Sequence, residues 1–440
     1  MQYVLSGLKV VFRAIGSICV TAVCVVLFVL AQIVLSGVIY DLPMAVWICL
    51  VTGGACVVMG ILYARQRAHL SLVAKRWRWV VLTLLACMAV AAWLRVTTFG
   101  PATLALGLGA APGTFVLFGG FGILFTLLCV WRRAWKTVYV AGTLSCIVMG
   151  GALLVLIAQV SYARSEGVVL SGQEVFSAED VDVRSADTVY EYKQIDGVTL
   201  KAGIWRPKAG TIQRDKTIVL IHGGGFAAGS YTDMKNLGSF LSSEGYSAVS
   251  IDYRLAPPPR WKDATQDVLD AFAWLQTHRS LIGATSDKIV PVGVSAGGNL
   301  ALNAAYLASG RGIEGIVGVA GVYPPADLRD IYHATTFQNP QPVITQYVGG
   351  SPEQVPGQWQ YASPTSHVRA DLPPTFLLTG AHDHLVYVSS VESFARRVQA
   401  SGSMVELHVI PYADHSFDIR YNSPASAIER ALLQRWLEKV

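Results

Sequence analysis

Uncharged apolar stretches fill most of the first 163 residues of this chain, and no other feature of the sequence limits its fold as strongly. About 20 apolar residues in a helix cross the hydrocarbon core of a membrane, and an uncharged stretch of about 18 or more is the usual sign of such a helix. The run from 96 to 131 is too long for one helix and is interrupted by Pro101 and Pro112, so we count only its second part. The sequence therefore predicts an N-terminal α-helical transmembrane bundle of about five spans, at 14–40, 42–64, 79–94, 114–131 and 137–160.

Charge divides the chain at the same place. Residues 1–163 hold 11 Lys and Arg and a single acid, Asp41, whereas the remaining 277 residues hold 23 Lys and Arg and 28 Asp and Glu. The basic residues of the first part flank apolar spans and form no patch on a folded domain, which argues against nucleic acid as a partner. The interiors of the spans contain no Asp, Glu, Lys or His, so a transporter is disfavoured as well.

Loop charge also predicts the orientation of the chain. Lys and Arg are concentrated in the N-terminal segment and in the second and fourth loops, which the positive-inside rule assigns to the cytoplasm. An odd number of spans then leaves the N-terminus cytoplasmic and everything after residue 160 extracytoplasmic. The last of the seven cysteines is Cys146, and a cysteine-free C-terminal part suits an oxidising exterior. A cleaved signal peptide is the alternative for the first span, but the apolar run is too long for one and lacks an obvious cleavage site.

The C-terminal part is interpreted as a membrane-proximal linker, 164–186, and a globular domain, 187–440. Short β-branched apolar runs alternate with helical stretches, a pattern that predicts a mostly parallel sheet with helices on both faces. Two alternating runs, 188–195 and 198–205, meet at Asp196-Gly197 and predict a β-hairpin. Further strands are predicted at 216–221, 246–251, 288–292, 313–319, 375–378 and 405–410, and helices at 234–244, 264–277, 296–307, 389–400 and 425–437.

A G-x-S-x-G pentapeptide, 293–297, follows a predicted strand directly and opens a predicted helix. In this strand-turn-helix context the motif is a nucleophile elbow, in which Ser295 sits on a strained turn. Glycine-sized residues are needed two positions before and after the serine, because a larger side chain there would collide with the turn. The flanking strand and helix make a chance occurrence of the motif a poor explanation, so Ser295 is predicted to be the nucleophile.

Three successive glycines follow another predicted strand, in the segment HGGGF at 222–226. Glycine lets backbone N–H groups approach an anion closely, and an HGGG loop of this kind helps to build an oxyanion hole. We expect the N–H groups of Gly224, Gly225 and Ala296 to form that hole. His222 is interpreted as structural support for the loop. A phosphate-binding loop is the alternative, but no Lys-Ser/Thr pair follows the glycines.

A serine nucleophile needs a base and an acid that orients the base. Chain order in this architecture is serine, acid, histidine, and both partners are expected after strands that end at the same edge of the sheet as Ser295. Asp383 and His415 fit this order and are predicted to complete a catalytic triad with Ser295. The competing residues nearby are His382, His384 and His408 for the base, and Asp414 and Asp418 for the acid.

Five motifs, in order, resemble those of the hormone-sensitive-lipase-like esterases of the α/β-hydrolase superfamily; they are HGGGF (222–226), IDYRLAP (251–257), GVSAGGNLA (293–301), TGAHDHLV (379–386) and HSF (415–417). The resemblance implies an α/β-hydrolase fold and a carboxylic-ester hydrolase with the triad Ser295, Asp383 and His415. Many members have Asp where Val294 stands and Glu where Pro258 stands. Residues 324–373 are expected to supply a lid, with Tyr323, Trp359 and Tyr361 as candidate lining residues.

The combined expectation is a membrane-anchored serine esterase that uses an acyl-enzyme on Ser295 and requires no metal and no organic cofactor. A short linker keeps the site near the bilayer, so a lipid or lipid-linked ester is the favoured substrate. The arrangement of spans and hydrolase is similar to that of bacterial aminoacyl-phosphatidylglycerol hydrolases, which implies a bacterial cytoplasmic membrane. Two alternatives stay open: a deacetylase or acyltransferase of envelope glycans, and a non-catalytic receptor or binding module on a hydrolase scaffold.

Overall fold

The computed structural model describes residues 112–131, 135–176, 183–334 and 339–440. Two long apolar helices come first, α1 (Pro112–Trp131) and α2 (Trp135–Ser165), where the fourth and fifth spans were predicted. Within the described ranges, one helix, Ala141–Ser165, has the length and composition needed to cross a membrane. The three earlier predicted spans, 14–40, 42–64 and 79–94, lie outside the described residues.

An eight-stranded sheet organises the rest of the chain. The strands are β1 (Thr188–Ile195), β2 (Val198–Trp205), β3 (Lys216–Ile221), β4 (Ser247–Ile251), β5 (Lys288–Val294), β6 (Val319–Val322), β7 (Thr375–Gly380) and β8 (Val405–Ile410). Their order in the sheet is β1-β2-β4-β3-β5-β6-β7-β8. The first two strands form the predicted hairpin across Asp196-Gly197 and pair antiparallel with each other, and β2 pairs antiparallel with β4. All remaining neighbours pair in parallel, as predicted.

Both faces of the sheet are buried, which explains why its central strands are mostly apolar and do not alternate between apolar and polar residues. In β3, Val219 packs into the same cluster as Phe272, while the next residue, Leu220, packs into a second cluster with Leu433. Successive side chains of a strand point to opposite faces, so each face has its own core. The helices are α3 (Gly172–Phe176), α4 (Lys235–Ser243), α5 (Asp263–Thr277), α6 (Arg279–Ile282), α7 (Ala296–Ala308), α8 (Leu328–His333), α9 (Gln341–Val348), α10 (Pro356–Ala362), α11 (Val388–Ala400) and α12 (Pro424–Lys439).

The predicted strand at 313–319 is wrong, because β6 begins only at Val319. The apolar run is broken by Gly315, which has φ +78° and leaves no room for a Cβ against the Asp287 carbonyl. Ile316 consequently makes an isolated bridge to Ile289 instead of a ladder. A left-handed glycine turn thus interrupts a stretch that is apolar apart from Glu314.

The last turns of α2 belong to the same compact unit as the sheet, which includes residues 154–440. Gln159 donates from Nε2 to the Pro411 carbonyl oxygen at 3.3 Å, and the Tyr162 hydroxyl lies 3.3 Å from Nδ1 of His408. Ala163 is fully buried in one of the two cores. The end of the apolar helix is therefore an integral part of the packing of the domain that contains the sheet.

Candidate active site

Ser295 occupies a sharp turn between the end of β5 and the start of α7. Its backbone has φ +53° and ψ −123°, a conformation that non-glycine residues rarely adopt, and its N–H donates to the Val322 carbonyl oxygen at 2.9 Å. A Cβ on Gly293 would overlap the Gly297 carbonyl, and one on Gly297 would overlap the carbonyls of Ile221 and His222. The two glycines are therefore required by backbone packing, as the sequence predicted for an elbow.

A chain of two hydrogen bonds connects the three residues predicted as a triad. The Ser295 Oγ lies 2.8 Å from Nε2 of His415, and Nδ1 of the same ring lies 2.9 Å from Oδ2 of Asp383. Ser295 follows β5, Asp383 follows β7 and His415 follows β8, so all three lie at the carboxyl edge of the parallel sheet. The structure thus brings together side chains that are up to 120 residues apart in sequence.

Asp383 is held in place by its own backbone surroundings. Its side chain is fully buried, and Oδ1 accepts hydrogen bonds from the N–H groups of Leu385 at 2.9 Å and Val386 at 2.7 Å. With Oδ1 occupied in this way, Oδ2 is left to face the imidazole of His415. These bonds fix the position of the carboxylate, which is what a residue that orients a histidine base requires.

The competing acids and histidines have other partners. Asp414 binds the ring of His384, with Oδ2 2.8 Å from Nδ1, and Asp418 accepts a hydrogen bond from the Tyr323 hydroxyl. The ring of His408 lies against Tyr162 and against Glu406, whose Oε1 is 2.9 Å from Nε2. The His382 ring stacks on Tyr412 with centroids 4.7 Å apart. Among these candidates, the observed contacts select Asp383 as the carboxylate on the imidazole of His415.

The glycine loop after β3 lies directly beside the elbow. A Cβ on Gly223 would lie 3.2 Å from the Cβ of Ser295, so only a residue without a side chain fits there without displacing the serine. Gly224 and Gly225 have φ +110° and φ +61°, and the N–H groups of Ala227 and Ala228 both donate to the Gly224 carbonyl. Ala296 is the first residue of α7, so its N–H has no acceptor within the helix. The predicted oxyanion-hole donors thus come from two segments that meet at Ser295.

His222 is buried beneath this loop and contacts the backbone. Its Nδ1 lies 2.7 Å from the Gly223 carbonyl oxygen, and its ring stacks on Tyr253 with centroids 4.4 Å apart. The Tyr253 hydroxyl in turn donates to the His222 carbonyl at 3.1 Å. Burial lowers the pKa of His222, which favours the neutral ring. Through these contacts, the His222 side chain supports the glycine loop.

The electrostatic surroundings of His415 favour its protonated form. Burial by itself lowers the pKa of the imidazole, but the charge and hydrogen bond of Asp383 outweigh it, and Asp414 and Asp418 add to the effect, so the pKa is raised above its ordinary value. A base that must hold a proton during the reaction benefits from this arrangement, since the carboxylates stabilise the imidazolium. The Tyr323 ring packs on His415 with centroids 4.5 Å apart and limits its movement.

The segment predicted as a lid, 324–373, forms three short helices, α8, α9 and α10, and a 3₁₀ turn at Pro364–His367. It packs over the glycine loop: the Tyr347 ring stacks on Phe226 with centroids 3.8 Å apart, and Val343 approaches Gly225. Of the three predicted lining residues, Tyr323 contacts His415. Trp359 is fully buried and donates to the Gly350 carbonyl at 3.1 Å, and the Tyr361 ring packs edge-on against Trp261. These contacts place Trp359 in the interior of the lid.

Two buried polar residues near the site were missed by the sequence analysis. Asn299, on the first turn of α7, donates from Nδ2 to the carbonyls of Pro325 at 2.8 Å and Ala362 at 3.0 Å and so connects the elbow helix to the lid. Arg254 makes a bidentate bond to the fully buried Asp267, at 2.8 and 2.9 Å, and holds the segment after β4 against α5. Arg254 lies inside the motif at 251–257 and Asn299 inside the motif at 293–301. Their positions in these motifs were the signal in the sequence that could have identified them.

Comparison with known proteins agrees with this geometry. Residues 218–419 match the family model described as an α/β-hydrolase fold. A probable carboxylic ester hydrolase, LipM of Mycobacterium tuberculosis, is 30% identical over 250 residues, which cover 52% of this chain and 57% of LipM. Hormone-sensitive lipase of Ictidomys tridecemlineatus is 34% identical over 126 residues, which cover 28% of this chain and 16% of that protein.

Among solved structures, esterase 2 of Thermogutta terrifontis phosphonylated by sarin superposes with a TM-score of 0.50 at 25% identity. The match covers 57% of this chain and 94% of that one. The chain thus spans only about half of LipM, and a small part of the lipase, but nearly all of the solved esterase. By motif, fold and similarity, residues 218–419 form an α/β-hydrolase domain similar to those of the esterases and the hormone-sensitive lipases.

Proposed function

We propose that this chain is a membrane-anchored serine carboxylic-ester hydrolase. The observation that carries the proposal is the hydrogen-bonded series Ser295, His415 and Asp383 beside a glycine loop, because each role needed for acyl transfer has a side chain or backbone donor in place. The similarity to a probable carboxylic ester hydrolase and to solved esterase structures supports the same reaction class.

Acylation begins when the Ser295 Oγ attacks the ester carbonyl carbon and Nε2 of His415 accepts the hydroxyl proton. The carbonyl oxygen becomes negative and is stabilised by the N–H groups of Gly224, Gly225 and Ala296; removal of one such donor typically costs roughly 100- to 1000-fold in rate. Asp383 keeps the ring oriented and stabilises its charge. Collapse of the intermediate breaks the bond to the alcohol, which leaves with the proton from His415 and yields an acyl ester on Ser295.

Deacylation repeats these steps with water as the nucleophile. His415 accepts a proton from the water as its oxygen attacks the acyl carbon, and the same backbone donors stabilise the second oxyanion. The carboxylic acid is released and the Ser295 hydroxyl regains its proton from His415. If a sugar hydroxyl entered instead of water, the same acyl-enzyme would give acyl transfer, so the products distinguish hydrolase from transferase.

The proposed location is the extracytoplasmic face of a bacterial cytoplasmic membrane, with the N-terminus in the cytoplasm. The apolar helix Ala141–Ser165 supports an anchored enzyme, and the positive charge of the loops supports this orientation. An active site held close to a bilayer meets lipid esters at high local concentration, so the proposed substrate is a lipid or lipid-linked ester such as aminoacyl-phosphatidylglycerol. A soluble ester would give no reason for the anchor.

The test is a pair of assays on one detergent preparation of the full chain. Wild type and Ser295→Ala are compared on p-nitrophenyl butyrate and on alanyl- and lysyl-phosphatidylglycerol. We expect wild type to cleave both kinds of ester and the variant to lose activity on both. Cleavage of the short ester alone would reject the lipid substrate, and an ester of an envelope glycan would then be the next substrate to assay. Cleavage of neither by a folded protein, together with no labelling of Ser295 by a fluorophosphonate, would reject the esterase.

A further inference from the structure

The last turns of α2 run antiparallel to β8, the edge strand of the sheet. Gln159 contacts the carbonyl of Pro411, which lies just beyond the carboxyl end of β8. Tyr162, almost one turn later in the helix, contacts His408, which lies within the strand. The helix therefore approaches the domain from the carboxyl edge, and this is the edge that bears Ser295, Asp383 and His415.

The exposed surface of α2 changes character at the level of that edge. In the two turns before Gln159, the exposed side chains are Leu153, at 38% exposure, Leu154, at 42%, and Ile157, at 61%. After it, the exposed residues are Ser161, Arg164 and Ser165. A membrane helix shows such a change where it leaves the hydrocarbon for the polar interface. The boundary lies within one turn of the Gln159 contact with Pro411, so it is level with the carboxyl edge of the sheet.

Four segments at the carboxyl edge of the sheet contain no Lys, Arg, Asp or Glu: the glycine loop (222–232), the proline segment (255–259), α9 with its flanks (339–352) and the loop after Asp383 (384–391). Charged residues at this edge include Asp327, Arg329 and Asp330 after β6, and Asp418 and Arg420 after β8. At the amino edge, the loops that precede the strands are charged and form surface ion pairs, such as Lys288 with Asp215 and Arg214 with Glu438. An uncharged surface is the one that contacts a bilayer at low desolvation cost.

Apolar side chains are exposed within these uncharged segments. Val343 of α9 is 39% exposed and lies next to Gly225, and Tyr387 in the loop after Asp383 is 37% exposed. Ile419, between Asp418 and Arg420, is 36% exposed. Exposed apolar residues also occur at the amino edge, but there Ile212 is followed closely by Arg214 and Asp215. Val343 and Tyr387 thus lie beside the active site on segments that carry no charge.

We propose that the carboxyl edge of the sheet docks on the lipid bilayer, so that the mouth of the active site faces the membrane and the ester reaches Ser295 from the lipid side. The proposal rests on the membrane anchoring of the proposed function and deepens it, because it names the surface through which the substrate enters. The occupant of this surface is the bilayer in which α2 inserts, since the direction and polarity of α2 bring its hydrocarbon-facing part to this edge.

The full chain, reconstituted in vesicles of phosphatidylcholine and phosphatidylglycerol, provides the test. An environment-sensitive fluorescent amino acid is introduced by stop-codon suppression at Gln346, exposed on α9, or at Ile212, which is 87% exposed at the amino edge and serves as the matched control. Quenching is measured with a lipid that carries a shallow nitroxide and with aqueous iodide. We expect the lipid nitroxide to quench the Gln346 probe several-fold more strongly than the Ile212 probe, and iodide to show the reverse order.

Equal quenching of the two probes by the lipid nitroxide, or stronger quenching at Ile212, would overturn the docking proposal. Hydrolysis of p-nitrophenyl butyrate is measured in the same vesicles, so that a failure of the esterase is seen separately from a failure of the orientation. Extraction of the chain from the vesicles by alkaline carbonate would overturn both the docking and the anchoring.

As a second measurement, Gln346→Glu is expected to slow cleavage of a vesicle-borne ester several-fold relative to Ile212→Glu, because the added charge must approach anionic lipid. Equal rates for the two variants would contradict the docking.

Discussion

Asp414 binds the ring of His384, although its sequence neighbour His415 is the histidine next to Ser295. Its Oδ2 lies 2.8 Å from Nδ1 of His384, and its Oδ1 accepts the backbone N–H groups of His384 at 3.0 Å and of His415 at 2.7 Å. This pairing joins the loop after β7 to the loop after β8 through a buried carboxylate. It also leaves the imidazole of His415 to Asp383, 32 residues away in sequence.

The two aspartates are therefore expected to respond differently to the same substitution. Asp383→Asn removes the carboxylate that fixes the tautomer of His415 and should lower kcat on a short ester by roughly 10,000-fold. Asp414→Asn keeps the amide oxygen as an acceptor for the backbone N–H groups and should cost far less. Steady-state kinetics on both variants, with melting temperatures as a folding control, checks this. A larger loss of kcat in Asp414→Asn than in Asp383→Asn would show that the acid has been assigned to the wrong residue.

The pH dependence of kcat/KM should show an acid limb set by His415, because only the neutral imidazole can accept the Ser295 proton. Asp383 raises the pKa of this ring against the opposing effect of burial, so the midpoint of the limb is expected above the ordinary value of 6.5. Activity should be full above the midpoint and fall as the pH drops through it. In Asp383→Asn the residual activity should have its acid limb at lower pH. An unchanged midpoint in that variant would contradict the assignment.

The elbow glycines are expected to tolerate no side chain. A Cβ on Gly297 would overlap the backbone carbonyls of Ile221 and His222, so Gly297→Ala should displace β3 from α7 and abolish both folding stability and activity. Gly310→Ala is the control, since that glycine is exposed and no heavy atom lies within 4 Å of the place that its new methyl group would take. Thermal melting followed by circular dichroism compares the two. Equal melting temperatures would mean that the elbow is less tightly packed than its distances indicate.

Asn299 offers a test of the connection between the elbow helix and the lid. Asn299→Ala leaves the Pro325 carbonyl without its Asn299 donor, whereas the Ala362 carbonyl keeps a donor in Asn303 at 2.9 Å, and the change should destabilise the domain by about 1–3 kcal/mol. Since these carbonyls flank the lid, KM for a bulky ester should rise more than kcat falls. Gln399→Ala, on the exposed face of α11, serves as the control. Loss of kcat with an unchanged KM would instead place Asn299 in the support of Ser295 alone.

Short sequence patterns predicted much of this architecture, because the conformation of those segments depends mainly on residues that are close together in the chain. β3, β8 and the hairpin at Asp196-Gly197 have the predicted bounds, since short β-branched runs and a two-residue turn require no distant partner. β6 was misplaced because the conformation of Gly315 depends on packing against Asp287. The contact of Gln159 with Pro411 joins residues 252 positions apart, and no periodicity in either segment indicates it.

In the candidate site, too, residues in contiguous motifs were predictable from the sequence, whereas contacts between distant residues were not. Ser295, Gly224 and Gly225 were identifiable because the motif and its flanking elements are contiguous. The choice of Asp383 over Asp414 and Asp418 rested on chain order, and the structure supplies the contacts that separate them. The links from Asn299 to the lid could not be predicted, because their acceptors are backbone carbonyls, which every residue carries.

Ala163 lies on the apolar helix yet has no exposed surface, and Val168, just beyond the helix, is buried in the same core as Trp436 near the other end of the chain. The end of α2 and the interior of the C-terminal domain are thus one continuous packing unit at this point. A protease that cut the chain directly after Ser165 would free a domain whose core lacks the side chains that the end of α2 contributes. Such a cut is therefore expected to destabilise the domain instead of releasing it intact.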